Sequence, residues 1–229
     1  MKPKFDVDAL LFDLDGTLLD TIPDLYEAVR RMLAELGEPT RSIEELTHMV
    51  GKGIPNLVLR SLTDGRPGLD PALVERGLPA FRRHYAVVNG NATRIYEGVD
   101  ATLAEFARQR IRMACVTNKA AAFTEPLLEK MGLASFFDCV VSGDTLPHSK
   151  PAPEPLLYAC ERLGVAPART LMVGDSANDA AAALAAGIPV LLLTYGYSEG
   201  RDVDTIECDG VVSDFPALTR YVGRTDAGV

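Results

Sequence analysis

Nowhere in the 229 residues does an apolar run reach the roughly 18 needed to cross a bilayer, so no membrane-spanning helix is expected. Cysteine is sparse. Cys115, Cys139, Cys160 and Cys208 are scattered without a Cys-x-x-Cys pair, which leaves no spacing for a zinc or dithiol site. Cys115 and Cys139 fall inside apolar runs, where a free thiol behaves as a small hydrophobe. Positive charge is also short: the net charge is −9 and no basic stripe is visible, which argues against a nucleic-acid partner. An anionic ligand would have to be drawn by a few placed cations, not by the overall field. The three histidines, His48, His84 and His148, have no partner pattern and read as structural or solvated. Internal repeats and low-complexity stretches are absent. The opening Met1-Lys2-Pro3-Lys4-Phe5-Asp6 lacks the long apolar region of a secretory signal, so a cytoplasmic protein is expected.

What is present is ordinary globular material. The hydrophobic fraction is 47%, enough in a chain of this length to bury the core of one large domain or two modest ones. The stretch that organises the chain is Ala9-Leu10-Leu11-Phe12-Asp13-Leu14-Asp15-Gly16-Thr17. Four apolar residues predict a strand buried on both faces. Gly16 lets the backbone leave it sharply. Asp13 and Asp15 therefore sit at the carboxyl end of a strand, where open α/β sheets place their ligands. Such a pair repels itself unless a positive group lies among its oxygens, and a hard divalent cation such as magnesium suits oxygen ligands. Asp-x-Asp-Gly also opens calcium loops. Here the glycine comes too early, Leu18 sits where that loop needs it, and a strand precedes the pair.

After Thr21 the pattern turns helical. Helices are predicted from Pro23 to a stop at Gly37, from Ser42 (with a capping box to Glu45) to Met49, from Ile54 to Leu62, and from Asp70 to Tyr85, where Gly77 and Pro79 could divide the last. Strands and helices then alternate. Strands are expected at 111–117, 137–142, 170–173, 189–193 and 210–212, with helices at 99–109, 123–131, 155–163, 178–186 and 216–221. This alternation implies a parallel sheet with helices on both faces. The tail from Gly223 is expected to fray. The organisation expected is a core of residues 1–17 and 92–229 interrupted by an all-α unit of residues 18–91.

Three later loops bring polar groups to the same rim: Thr117-Asn118-Lys119, Ser149-Lys150-Pro151 and Gly174-Asp175-Ser176-Ala177-Asn178-Asp179. Singly, such residues often only cap the next helix. Together with Asp13 and Asp15 they supply a nucleophile, an acid, a hydroxyl donor, a lysine and a metal carboxylate, the inventory for handling a phosphoryl group.

In order, Asp13-Leu14-Asp15-Gly16-Thr17, Thr117-Asn118, Lys150-Pro151 and Gly174-Asp175-Ser176-x-Asn178-Asp179 resemble the four motifs of the haloacid dehalogenase superfamily of phosphatases. The resemblance covers the whole core and implies a Rossmann-like sheet with a helical cap inserted after the first motif. More narrowly, Leu193-Thr194-Tyr195-Gly196-Tyr197 and the run Lys150 to Leu157 resemble the bacterial phosphoglycolate phosphatase branch, which implies 2-phosphoglycolate as substrate. The resemblance assigns Asp13 as nucleophile and Asp15 as general acid and base. Thr117, Asn118 and Lys150 would hold the phosphoryl group. Mg²⁺ would be bound by Asp13, the backbone carbonyl of Asp15 and Asp175, with Asp179 and Ser176 supporting from behind. The partner is a small phosphorylated metabolite, with no nucleic acid and no membrane, for a monomer or homodimer.

Two lysines stay open. Lys119 reads equally as a site residue or a solvated surface lysine. Lys52, between Gly51 and Gly53, reads as a reader of a substrate carboxylate or as an exposed residue in a helix-joining turn. Dehalogenases and phosphonate hydrolases lack the second aspartate, so Asp15 speaks against both. A sugar-phosphate mutase of the β-phosphoglucomutase type shares all four motifs, and a catalytically silent binding protein could keep the fold.

Overall fold

A computed structural model describes residues 4–63 and 71–224. The chain begins with β1 (Phe5–Asp6) and β2 (Ala9–Phe12), then β3 (Leu19–Asp20). Four helices follow: α1 (Ile22–Leu36), α2 (Ile43–Thr47), α3 (Gly53–Thr63) and α4 (Pro71–Val88). After β4 (Arg94–Ile95) the alternation runs α5 (Val99–Arg108), β5 (Arg112–Val116), α6 (Ala121–Lys130), β6 (Cys139–Val141), α7 (Glu154–Leu163), β7 (Thr170–Gly174), α8 (Ala177–Ala186), β8 (Val190–Leu193) and β9 (Gly210–Val212). A short α9 (Leu218–Tyr221) and β10 (Val222–Gly223) close it.

The central sheet is six-stranded in the order β6-β5-β2-β7-β8-β9, and every pairing is parallel. Successive side chains of β2 point to opposite faces. Leu10 and Phe12 enter one apolar layer with Val99, Leu103 and Phe106 of α5 and Leu127 of α6. Ala9 and Leu11 enter the other with Leu156 and Ala159 of α7 and Ala180 and Ala183 of α8. All four β2 residues are fully buried, each large one contributing about 2 kcal/mol of apolar burial. That is why the strand reads as a continuous apolar run.

The four helices after β3 form their own apolar cluster. Leu25, Ala28, Val29, Met32 and Leu33 make one stripe of α1, at helical spacing, and pack on Phe81, Tyr85 and Val88 of α4. α4 runs unbroken through Gly77 and Pro79. Its expected start at Asp70 lies outside the described residues. Both strands joining this unit to the sheet run side by side, β3 pairing antiparallel with β4.

One expectation is corrected. Gly223 does not fray: Val222–Gly223 is a buried strand paired in parallel with Phe5–Asp6, because the last helix returns the chain beside the first strand. Residues from 225 onward lie outside the described part. Among the described residues no helix is long and apolar enough to cross a membrane.

Candidate active site

The strands β5, β2 and β7 are neighbours and run the same way, so their exit loops emerge side by side on one rim. The Asp13 N–H donates to the Val173 carbonyl (3.0 Å), carrying the ladder one step beyond β2. At Gly16 the backbone takes φ +91°, and a Cβ at that position would overlap the Asp175 carboxylate. The glycine thus both turns the chain and lets it touch the neighbouring loop. Lys150 arrives from the long loop after β6. Its ammonium donates to the Val116 carbonyl (2.6 Å) and to Asp179 Oδ1 (2.6 Å), and it pairs with Asp13 Oδ1 at 3.0 Å.

The acidic residues sit deep. Oxygens of Asp13, Asp175 and Asp179 all lie within 4.8 Å of one another; Asp175 and Asp179 are fully buried and the Asp13 side chain is 13% exposed. Asp175 is held on both oxygens, by the Thr17 hydroxyl (2.7 Å) and by the Tyr197 N–H (2.8 Å). Asp179 Oδ2 accepts from the Ser176 hydroxyl (2.7 Å), the Ser176 N–H (3.1 Å) and the Asp175 N–H (3.3 Å). Asp179 and Ser176 therefore lie behind Asp175 and fix its loop. Burial, with repulsion from Asp179 and Asp15, pushes Asp13 up to about 7 against the pull of Lys150. Burial and the carboxylates of Asp179 and Asp13 push Asp175 well above its usual range. Crowded buried oxygens raised in this way fit a hard divalent cation, which would remove the repulsion they share.

Asp15 Oδ1 accepts from the Thr21 hydroxyl (2.6 Å) and from the Lys119 ammonium (2.7 Å). Lys119 is no surface lysine. Its side chain is only 4% exposed and lies over the Tyr85 ring, 5.0 Å from the centroid. Burial works against its charge, but Asp15 outweighs that and holds the ammonium protonated. A cavity of about 40 Å³ opens here, lined by Asp13, Asp15, Thr117, Asn118 and Lys119 on the sheet side and by Leu25, Val50, Ile54, Leu57 and Tyr85 on the helical side.

The Gly51–Gly53 turn reaches this rim. Asn118 Nδ2 donates to the carbonyls of Gly51 (2.8 Å) and Lys150 (2.8 Å), tying the turn to the sheet loops. Gly51 and Gly53 line the cavity, but Lys52 between them does not. Its ammonium pairs with Glu199 at 2.8 Å with 44% of the side chain exposed, and Glu199 in turn accepts from Asn178 (2.6 Å). Tyr197 also spans the junction: its hydroxyl accepts from the Thr21 N–H (2.7 Å) and donates to Asp20 (3.0 Å). The sequence signal for Lys119 was its place two residues beyond Thr117 on a strand exit; Glu199 had none.

A sequence model of the haloacid dehalogenase-like hydrolase family matches residues 7–187. The chain belongs to that family. It is 48% identical over 222 residues to a phosphoglycolate phosphatase of Nitrosospira multiformis, covering 96% of this chain and 97% of that one. A phosphoglycolate phosphatase of Thiobacillus denitrificans is 47% identical over 209 residues, 90% of this chain and 91% of its own. A crystal structure described as a predicted phosphoglycolate phosphatase from Haemophilus somnus superposes with a TM-score of 0.88 at 31% identity, over 93% of this chain and 96% of that one. As a member of this family the chain is a hydrolase of phosphoric monoesters, its core a parallel sheet flanked by helices.

Proposed function

We propose that the protein is a magnesium-dependent phosphomonoesterase that hydrolyses 2-phosphoglycolate to glycolate and inorganic phosphate. The observation that carries the chemistry is two rim carboxylates each paired with its own buried lysine, Asp13 with Lys150 at 3.0 Å and Asp15 with Lys119 at 2.7 Å. The choice of substrate rests on the names of the relatives at 48% and 47% identity.

In this reading Asp13 attacks phosphorus in line, the bond to the glycolate oxygen breaks, and the phosphoryl group passes to the carboxylate. Asp15 donates its proton to the leaving alkoxide. It then takes a proton from the water that attacks phosphorus, which breaks the bond to Asp13 and frees inorganic phosphate. Thr117 and the Asn118 backbone hold the phosphoryl oxygens, and Lys150 offsets charge on the nucleophile and the transferred group. Asp13, the Asp15 carbonyl and Asp175 would hold Mg²⁺, with Asp179 and Ser176 fixing the Asp175 loop. When bound, the ion supplies positive charge that offsets the phosphoryl oxygens. Residues 18–91 act as a cap over a core of residues 1–17 and 92–229, excluding water when closed.

The test is phosphate release from a panel of small phosphate esters with magnesium. 2-Phosphoglycolate should lead the panel, and Asp13→Asn should lower turnover by at least about 1,000-fold while the protein still folds. Surviving turnover in that variant would refute the covalent route. Isomer formation from glucose 1-phosphate without phosphate release would assign the chain to the mutases instead.

A further inference from the structure

The cavity has two chemically different ends. Near the sheet, Asp13, Thr117 and Asn118 surround the place proposed for phosphorus. Away from it the walls are apolar, Leu25, Val50, Ile54 and Leu57, and two polar groups interrupt them. One is the Lys119 ammonium. The other is the Tyr85 hydroxyl, on a side chain with no measurable exposure, which makes no hydrogen bond of normal geometry among the described residues and has only the Lys119 ammonium to interact with. An unpaired hydroxyl in an apolar wall costs free energy, and most such groups have a partner that completes them. Lys119 pairs with Asp15 at 2.7 Å and sits 5.0 Å from the Tyr85 ring centroid, so it stands between the two ends.

We infer that Lys119 and Tyr85 form the subsite for the substrate's carboxylate. The inference rests on the phosphomonoesterase reading above and deepens it. A carboxylate entering an apolar pocket needs a paired charge and filled lone pairs, and these residues supply an ammonium and an O–H donor side by side. A cavity of about 40 Å³ is roomy enough for a few ordered waters, which an entering polar group would displace. Lys52 does not line the cavity; its ammonium sits outside it against Glu199. Specificity lies in a lysine of the second sheet loop and a tyrosine of α4, so the cap and the core each contribute one donor.

The test is the ratio of kcat/KM for 2-phosphoglycolate to that for ethyl phosphate, which lacks the carboxylate, measured with magnesium. Wild type should favour 2-phosphoglycolate by at least about 100-fold. Tyr85→Phe keeps the ring and its packing, and should lower the ratio by about 10-fold, chiefly through KM for 2-phosphoglycolate. Lys119→Met should lower it by about 100-fold, and the ratio cancels any effect that its contact with Asp15 has on both substrates. Lys52→Ala should leave it within about two-fold, because Lys52 does not line the cavity. A wild-type ratio near one would sink the substrate reading and the subsite together. A high wild-type ratio that survives in Tyr85→Phe would overturn the subsite alone, even if Lys119→Met failed to fold. A ratio that collapses only in Lys52→Ala would move carboxylate recognition to the Gly51–Gly53 turn.

Discussion

Asp175 is positioned as much by what its neighbours lack as by its hydrogen bonds. A Cβ on Gly196 would overlap Asp175, and one on Gly174 would overlap Asp179. Gly196→Ala should therefore push the Asp175 carboxylate out of place without removing any charged group. The expected result is a rise of about 10-fold or more in the magnesium concentration for half-maximal activity, with a stability loss of about 1–3 kcal/mol from overpacking. A titration of phosphate release against magnesium, beside a urea melt, reads both. An unchanged magnesium requirement would mean that the loop yields without moving the carboxylate. At this scale legibility divided sharply. Asp13, Asp15 and Asp175 could be picked out because paired carboxylates at strand ends are costly unless used. Lys119 stayed evenly open, because a loop lysine looks the same buried or solvated. Its burial comes from Tyr85, which reaches it from a helix of another unit. Gly196 gave no local sign either, since the reason for its missing side chain lies across the molecule.

Between elements, the two ends of the helical unit are clasped together by Asp24 in the first turn of α1. This buried carboxylate accepts from the backbone N–H groups of Gly90 (2.9 Å), Ala92 (2.8 Å) and Thr93 (3.0 Å) and from the Thr93 hydroxyl (2.6 Å). The entering and leaving chain segments are thereby locked together beside the β3–β4 ladder. Asp24→Ala would strand those donors, and desolvated N–H groups without partners should cost about 3 kcal/mol or more. The urea midpoint should fall accordingly; a loss below about 1 kcal/mol would mean that water replaces the carboxylate. In the Lys52–Glu199 pair the lysine is 44% exposed and the glutamate 10%, and Glu199 keeps the Asn178 hydrogen bond when the lysine is removed, so Lys52→Ala should cost no more than about 1 kcal/mol. Helix limits were readable where chemistry marks them: Gly37 ends α1 in the left-handed region, and Ser42 and Glu45 form the expected capping box on α2. Gly77 and Pro79 misled as markers of a break. Gly77 faces Val58 and Leu62 of α3 at a spacing that a larger residue would disturb, so packing keeps α4 continuous through both. Alternation gave a parallel sheet, but which strands become neighbours depends on crossovers that no local pattern encodes.

For the molecule as a whole, folding gathers like charge at one rim of a chain that is already at −9. Asp13 is raised from its ordinary 3.8 to about 7, and Asp175 is raised as well. A carboxyl raised in this way keeps its proton in the folded state at a pH where the unfolded chain has released it. Its contribution to stability is complete below about 4 and is lost as pH rises through about 7, so over that window these two carboxyls lower the stability of metal-free protein with increasing pH. Magnesium binds the deprotonated oxygens and must displace those protons first, so binding is weak at low pH and strong above the window. The rise in melting temperature produced by magnesium should therefore be small at pH 5 and several-fold larger at pH 8. Asp175→Asn, which removes one ligand charge, should abolish most of the rise at pH 8 while leaving the metal-free protein at least as stable there as wild type. Thermal melts with and without magnesium at the two pH values test this directly. An equal magnesium effect at both would place the ion away from the buried oxygens of Asp13 and Asp175, and the proposed metal site would fail with it.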